Sequence, residues 1–394
     1  MPSRCFAELM TAIRHIVYEC LPGAYAGGVQ KMVYELASAQ RQLGADVEVW
    51  APDAIRAGST EDFDGLKIRY FMPSVAWGLA QSYRLEQAIV GLPPGSVLHA
   101  HSTYHPLNLQ VGRVARRCGH RTFYHPHGAL SPVWFRGWGW KALKKRLYVS
   151  AFERPNLNAA TGLFALTEEE RRDLTELGVT APTYLVPNGI ARVVVGDDAA
   201  ARTFRGKHAI PEGARVMLFV GRIVALKRIE DIAGVLARLR HSYPDLHLVI
   251  AGDLGTEPAY VARLREQFTA SGIADRVRWA GFLDEQAKPA AYAAAQVFVH
   301  ASESEGMAIA ILEAMAAGVP VVASRQCHMS AAAEAGALKQ CEQGAVALAE
   351  AIAKVLVAPA ALGARGQAYV CRVHAWSAIA AETLKIYAGG ASRG

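Results

Sequence analysis

Short apolar runs, each followed by a turn and then a helical pattern, recur through both halves of the chain. This alternation constrains the fold more than any other feature. A strand that must be followed by a parallel neighbour needs a crossover, and a helix supplies it. In the first half, IRHIVYEC at 13–20 reads as a strand, with Gly23, Gly27 and Gly28 in the turn behind it. From Val29 to Leu43 the residues Val29, Met32, Val33, Leu36 and Ala37 fall near one helical face, and Gly44 ends the pattern. Further strands are expected at 45–52, 66–71, 96–101 and 121–126, with helices at 82–91 and 106–118. The second half repeats the rhythm, with strands expected at 216–221, 246–252, 277–282, 297–302 and 319–324 and helices at 229–240 and 258–271. A stretch rich in Pro, Gly and small polar residues at 187–213 reads as the linker. The expectation is an α/β chain of two doubly wound, Rossmann-like parallel-sheet domains facing each other across a cleft. Their ligands would sit at the carboxyl ends of the strands.

Composition narrows the class. Of 394 residues, 52% are hydrophobic and 20% charged, which excludes a disordered chain and allows two sizeable cores. The six cysteines form no CxxC pair, so neither a disulfide scaffold nor a zinc finger is expected. No targeting segment and no long apolar run is visible, so a cytoplasmic location is expected.

The net charge of +7 is mild, but its placement is not. Between Glu86 and Glu153 there is no acidic residue, and the same window holds nine Lys or Arg and six of the 13 histidines. Such a one-signed field attracts an anionic partner. Within it, WFRGWGWKALKKRLY at 134–148 interleaves aromatic and basic side chains. That pattern suits peripheral contact with an anionic membrane at the inner face of the cell. It equally suits an amphipathic helix packed on its own domain. No nucleic-acid-binding motif is present.

Four constellations can carry chemistry. Glu305 and Glu313 flank GMAIAIL, the first after a strand and the second expected about two turns into the next helix. Unpaired N–H groups at a helix start favour a phosphate, and carboxylates accept hydrogen bonds from sugar and ribose hydroxyls. Gly306 lets the backbone approach. The pair also fits an ordinary charge–dipole pair with a surface Glu. Arg222 and Lys227 follow the strand at 216–221 and can neutralise a diphosphate, or can be solvated loop bases. HPHG at 125–128 places His127 and Gly128 after a strand. Gly27-Gly28 stands at the first strand's exit without forming GxGxxG, which argues against a dehydrogenase. Two patterns are set aside. Asp62-Phe-Asp64 reads as a turn before Gly65. His99, His101, His105, His125 and His127 have no nearby carboxylate or Cys to complete a metal site.

Taken together, GGVQ at 27–30, HPHG at 125–128, VPNG at 186–189, GR-x4-K at 221–227, AGD at 251–253 and E-x7-E at 305–313 resemble the GT-B retaining glycosyltransferases of family 4 (glycosyltransferase group 1), over nearly the whole chain. The resemblance implies an N-terminal acceptor-side domain at 1–190 and a C-terminal donor domain at 191–375. A last helix within 376–394 would return to the first domain. His127, Glu305, Arg222 and Lys227 would be catalytic. The nucleotide sugar, a UDP- or GDP-sugar, would be bound by Gly28, Arg222, Lys227, Glu305, Gly306, Met307, Ala308 and Glu313. Glu305 would hold the sugar hydroxyls, Glu313 the ribose, and the two bases the diphosphate. No metal and no other cofactor is expected. Met307 and Ala308 stand where the family often has Phe and Gly, which narrows the room near the sugar.

The function so implied is transfer of a hexose-type sugar to a saccharide or lipid-diphosphate-linked acceptor in cell-surface polysaccharide or glycolipid assembly. A soluble small-molecule acceptor, a nucleotide-sugar 2-epimerase on the same fold and a non-catalytic sugar-nucleotide binder are the alternatives.

Overall fold

A computed structural model of the chain describes residues 11–20, 27–74, 81–135, 139–190 and 196–389. The chain divides into two units, residues 1–189 with 375–394, and residues 190–374.

Among the described residues the first unit carries eight strands: β1 (Ile13–Ile16), β2 (Val47–Pro52), β3 (Thr60–Phe63), β4 (Leu66–Phe71), β5 (Val97–His101), β6 (Arg121–His125), β7 (Gly162–Ala165) and β8 (Thr183–Leu185). They lie in the order β3-β4-β2-β1-β5-β6-β7-β8. Only the edge pair β3–β4 is antiparallel. Its turn is the Asp62-Phe-Asp64 segment: the Gly65 amide donates to Asp62 Oδ1 at 2.6 Å, and Asp64 takes a left-handed φ of 50°. The β1, β5 and β6 strands are buried on both faces, as apolar runs covered by helices must be.

The second unit carries β9 (Arg215–Val220), β10 (Leu246–Ala251), β11 (Val277–Gly281), β12 (Val297–His300), β13 (Val321–Ser324) and β14 (Lys339–Cys341), all parallel, in the order β11-β10-β9-β12-β13-β14. Ile232, Val235 and Leu236 of the helix Ile229–Leu239 pack on one face of this sheet beside Leu248 and Ile250. Ile311, Leu312 and Met315 of the helix Ile309–Ala316 pack on the other beside Val249 and Phe298.

In each sheet the strand order reverses once, between β1 and β5 and between β9 and β12. Helices leave in opposite directions there, which opens a crevice at the strands' carboxyl ends. Left-handed non-glycine residues occur on the loops that leave β5, β6 and β9: Ser102, Tyr104, His127 and Arg228 have φ of 66°, 63°, 57° and 52°. Such strain persists where the surroundings enforce it, and it clusters at working sites.

Several expectations need correction. The stretch 187–213 is not a plain linker, because it holds the helix Asp198–Lys207, started by Asp197 accepting from the Ala200 amide at 2.8 Å. The strand expected at 297–302 stops at His300, because Ser302 and Glu303 turn to bond the Leu226 carbonyl. The helix Ile309–Ala316 starts later than expected, so Glu313 lies little more than one turn inside it.

The final helix, Trp376–Tyr387, packs on the helix Gly28–Gln42 of the first unit. Trp376 Nε1 donates to Glu35 at 2.5 Å. The VPNG glycine is explained here: a Cβ on Gly189 would lie 2.3 Å from the Trp376 ring. Among the described residues no single helix is long and apolar enough to cross a membrane.

The helix Trp140–Tyr148 runs into a π-helical turn, Val149–Glu153, that carries Glu153 fully inside the unit. Burial pushes its carboxyl up to about 7 from an ordinary 4.5, against the opposing Tyr104 backbone amide. The folded state therefore holds this proton more tightly than the unfolded chain, and stability is lost as pH rises from the ordinary value through 7. Glu153→Gln should raise the melting temperature at pH 8 but not at pH 4.5 in scanning calorimetry, by an amount equivalent to about 3 kcal/mol at most. An equal effect at both pH values would reject the buried-proton account.

Candidate active site

In the second unit, Glu305 sits on the loop after β12 and Lys227 on the 3-10 turn Ala225–Lys227 after β9, on the two sides of the sheet's reversal point. The loops are tied together: the Leu226 carbonyl accepts from the Glu303 amide at 2.8 Å and from the Ser302 hydroxyl at 3.1 Å. The Glu305 amide is held by the Gln326 carbonyl at 3.1 Å. These bonds bring the Lys227 ammonium against Glu305 Oε1, and His300 Nε2 donates to the same oxygen at 2.9 Å. The side chains of Lys227 and Glu305 are only 9% and 13% exposed. Burial alone would raise the Glu305 pKa, but Lys227 and then His300 reverse this and hold the carboxyl far below its usual range. Burial keeps His300 neutral, against the pull of Glu305.

Lys227 and Arg222 do not form the matched cation pair that their spacing suggests. Lys227 is buried against Glu305, whereas Arg222 is exposed and has no ion pair among the described residues. His300 is the partner that sequence reasoning missed. Its only signal is a polar residue at the end of a buried strand, and alternation alone does not say what it faces.

Glu313 lies inside the helix that follows. Its side chain is 4% exposed, and it accepts from Lys288 Nζ at 3.1 Å and Tyr292 OH at 3.0 Å. Both partners come from the helix Lys288–Ala294, with no local sequence signal linking them to Glu313. Ala308 precedes the first helical residue in an extended conformation and offers no side-chain cap, so the helix starts with uncapped amides. The glycines at the ends of β9 and β10 allow close approach, since a Cβ on Gly252 would lie 2.0 Å from the Gly221 carbonyl oxygen. Asp253 accepts from the Gly255 amide and the Thr256 hydroxyl, both at 2.9 Å, and so shapes its own loop.

In the first unit, the exposed Gly28 begins the helix Gly28–Gln42. Gln30 Oε1 accepts from the Gly27 amide at 2.9 Å. His127 and Gly128 take consecutive left-handed conformations after β6. A carboxylate holds them: Glu170 accepts from the Gly128 amide at 2.6 Å and the Leu166 amide at 2.7 Å. Burial pushes Glu170 up to about 7, against those two amides.

His127 belongs to a group the sequence only half shows. His15, His99, His101, His125 and His127 come together from β1, β5 and the end of β6, while His105 stacks on Tyr18 instead. His15, His99 and His101, and separately His101, His125 and His127, offer nitrogens within 4.8 Å of one another. These two triads are the described residues that could hold a metal. Hydrogen bonds already link several of them: His15 Nδ1 lies 2.9 Å from His101 Nε2, and His101 Nδ1 lies 3.1 Å from His127 Nε2. Burial lowers all five pKa values, to about 4 for His15 and about 3 for His127.

The segment 134–148 is described except at 136–138, where Arg136 and Trp138 lie outside the described residues. Trp140, Leu143 and Leu147 of its helix are exposed, as is Phe152 beyond it. Lys144 and Lys145 lie 5.4 and 5.5 Å from the ring centroids of Trp140 and Trp134. Other bases of the acid-free window are engaged internally: Arg113 and Arg117 face Glu86, and Arg146 donates to the Phe135 carbonyl at 2.7 Å.

Comparison with known proteins places the geometry in a family. Residues 27–189 match the glycosyl transferase 4-like domain, and residues 201–366 match glycosyl transferases group 1. A D-inositol 3-phosphate glycosyltransferase of Catenulispora acidiphila is 33% identical over 59% of this chain and 56% of its own length. Another from Streptosporangium roseum is 25% identical over 92% of this chain and 88% of its own. Among solved structures, a sucrose-phosphate synthase from Thermosynechococcus elongatus superposes with a TM-score of 0.77 at 21% identity, covering 96% of this chain and 98% of that one. Anabaena HepE in complex with UDP and glucose gives 0.76 at 18%, covering 95% and 99%. Two parallel-sheet domains with these neighbours are a GT-B fold. The chain belongs to the group 1 glycosyl transferases, the family 4 type of GT-B glycosyltransferase.

Proposed function

We propose that the enzyme moves a hexose-type sugar, with retention of anomeric configuration and without a metal, from a nucleotide-diphosphate sugar to an anionic saccharide or lipid-diphosphate-linked acceptor. The observation that carries this reading is the compensated Lys227–Glu305–His300 cluster beside an uncapped helix start. Breaking the bond from sugar C1 to the diphosphate oxygen develops negative charge on the leaving group. Arg222 and the amides at the start of the helix Ile309–Ala316 supply fixed positive potential for it, and Lys227, whose charge is shared with Glu305, supplies N–H donors, which is electrostatic catalysis by preorganised groups. The acceptor oxygen bonds to C1 on the face the diphosphate leaves, and its proton passes to the departing oxygen. Glu305 orients sugar hydroxyls, and the charge it shares with Lys227 keeps both in place. Glu313, Gly306, Met307 and Ala308 complete the donor site of the second unit, and His127 and Gly28 are the substrate-facing residues proposed for the first.

The nucleotide is taken as UDP, because a structural neighbour was solved with it. The anionic acceptor rests on the acid-free basic window and on relatives named for inositol phosphate and phosphatidylinositol. A lipid-linked acceptor at the inner membrane face is supported by the exposed Trp140, Leu143, Leu147 and Phe152 beside Lys144 and Lys145.

Three measurements test this. Titration calorimetry should show UDP binding that Arg222→Ala weakens about tenfold or more, the loss of one charge-assisted contact. If neither UDP nor GDP binds the unaltered enzyme, the donor site is wrongly assigned. Glu305→Gln should lower kcat about a hundredfold while changing UDP affinity little, because it removes the charge that holds Lys227 and the sugar contact together. A hundredfold loss of UDP affinity instead would make Glu305 a nucleotide ligand. In low salt, vesicles containing anionic lipid should sediment the enzyme, and Trp140→Ala with Leu143→Ala should release it. No sedimentation would leave the soluble-acceptor reading.

A further inference from the structure

The hydrogen bonds behind His127 have only one consistent direction. At their far end, on the helix Trp376–Tyr387, the Thr383 hydroxyl lies 2.8 Å from the Ala380 carbonyl, which can only accept. The hydroxyl has one hydrogen and spends it there. Its oxygen therefore accepts from the Gln40 side chain at 2.8 Å, so that atom is the amide nitrogen. Gln40 Oε1 then faces His15 Nε2 at 2.8 Å. An amide oxygen can only accept, so His15 carries its proton on Nε2.

His15 and His101 are buried and His127 is half-buried; a ring that bonds in series through both nitrogens does so with one N–H and one lone pair. His15 Nδ1 must accept from His101 Nε2 at 2.9 Å, and His101 Nδ1 must accept from His127 Nε2 at 3.1 Å. His127 is left with its lone pair on Nδ1. The His125 ring stacks on it with centroids 4.0 Å apart and limits its rotation.

We propose that Gln40 and Thr383 are positioning residues that set the tautomer of His127 through this one-way chain, so that His127 presents an acceptor, and not a donor, to the substrate. Resting on the functional reading above, this names the sugar class. An acceptor nitrogen welcomes a hydroxyl and repels a carboxylate. A sugar that meets His127 therefore carries a hydroxyl there, and a uronic acid with its carboxylate in that place is excluded.

The same geometry bears on a metal. A cation held by His101 Nδ1 and His127 Nε2 needs lone pairs on both atoms, whereas the chain places a proton between them.

The test is the ring protonation itself. Long-range proton–nitrogen spectra of the full-length enzyme labelled with nitrogen-15 histidine, with His127→Asn to assign the signal, should show His127 protonated on Nε2. Gln40→Leu removes the acceptor for His15. The chain then gains by reversing, because His15 can donate from Nδ1, and His127 should move to the Nδ1–H form. Thr383→Ser keeps the hydroxyl that orients Gln40 and should keep the native form. With the donor sugar, Gln40→Leu should lower kcat about tenfold or more and leave the UDP dissociation constant within about twofold, with the tautomer change as the signature that a merely structural role would not give.

An Nδ1–H signal in the unaltered enzyme overturns the proposal even if Gln40→Leu does not fold. So does an unchanged tautomer in a folded Gln40→Leu, or stoichiometric metal that His101→Ala removes. If no nucleotide sugar is turned over but the tautomer behaves as stated, the functional reading fails and the directed chain stands.

Discussion

A charge taken out of water must be compensated where it lies, and the second unit is arranged around that requirement. Removing one partner of a buried ion pair costs about 3–5 kcal/mol, because the other is left alone in a medium that solvates it poorly. Lys227 and Glu305 come from loops 78 positions apart in the chain. Two hydrogen bonds to one carbonyl, Leu226, keep those loops in register. The reversal of strand order between β9 and β12 supplies the gap in which both can sit. The polar cluster is affordable only because the sheet around it is apolar and tightly packed.

The first unit solves a related problem without ions. Its strands β1, β5 and β6 carry histidines toward their carboxyl ends, where no carboxylate among the described residues pairs with them. They stay neutral, and His15, His101 and His127 bond in series with one another, an amide and a hydroxyl. Neutral rings hydrogen-bonded in series transmit direction, since each can donate only once. The last helix contributes the group that sets that direction, and Tyr387 of the same helix also meets His99 Nδ1 at 2.6 Å. A helix distant in sequence thereby reaches the ring of His127 through contacts internal to this unit.

Much of this was legible in the residues. Alternating apolar runs and helical patterns announced two parallel sheets, and helices at 28–42, 106–118 and 376–387 fell close to their expected places. Six short motifs, each weak alone, named the family together. Less legible was anything that depends on a partner from elsewhere in the chain. His300 on Glu305, Lys288 and Tyr292 on Glu313, and Glu170 on the Gly128 amide all join separate elements. The helix Asp198–Lys207 was missed because its small, polar residues look like a linker until Phe204 and Ala201 are seen packed against the core.

The sequence by itself determined the alternation of strand and helix, the two sheets and the positions of the loops that carry chemistry, because periodicity and turn residues act locally. Tertiary structure decided which side chains answer each other: that Lys227 is bound to Glu305 while Arg222 stays in solvent, and that histidines from separate strands join one chain. The physical reason is that a hydrogen bond or ion pair depends on distance in space. Only the folded sheet, with its reversal of strand order, brings those groups within reach.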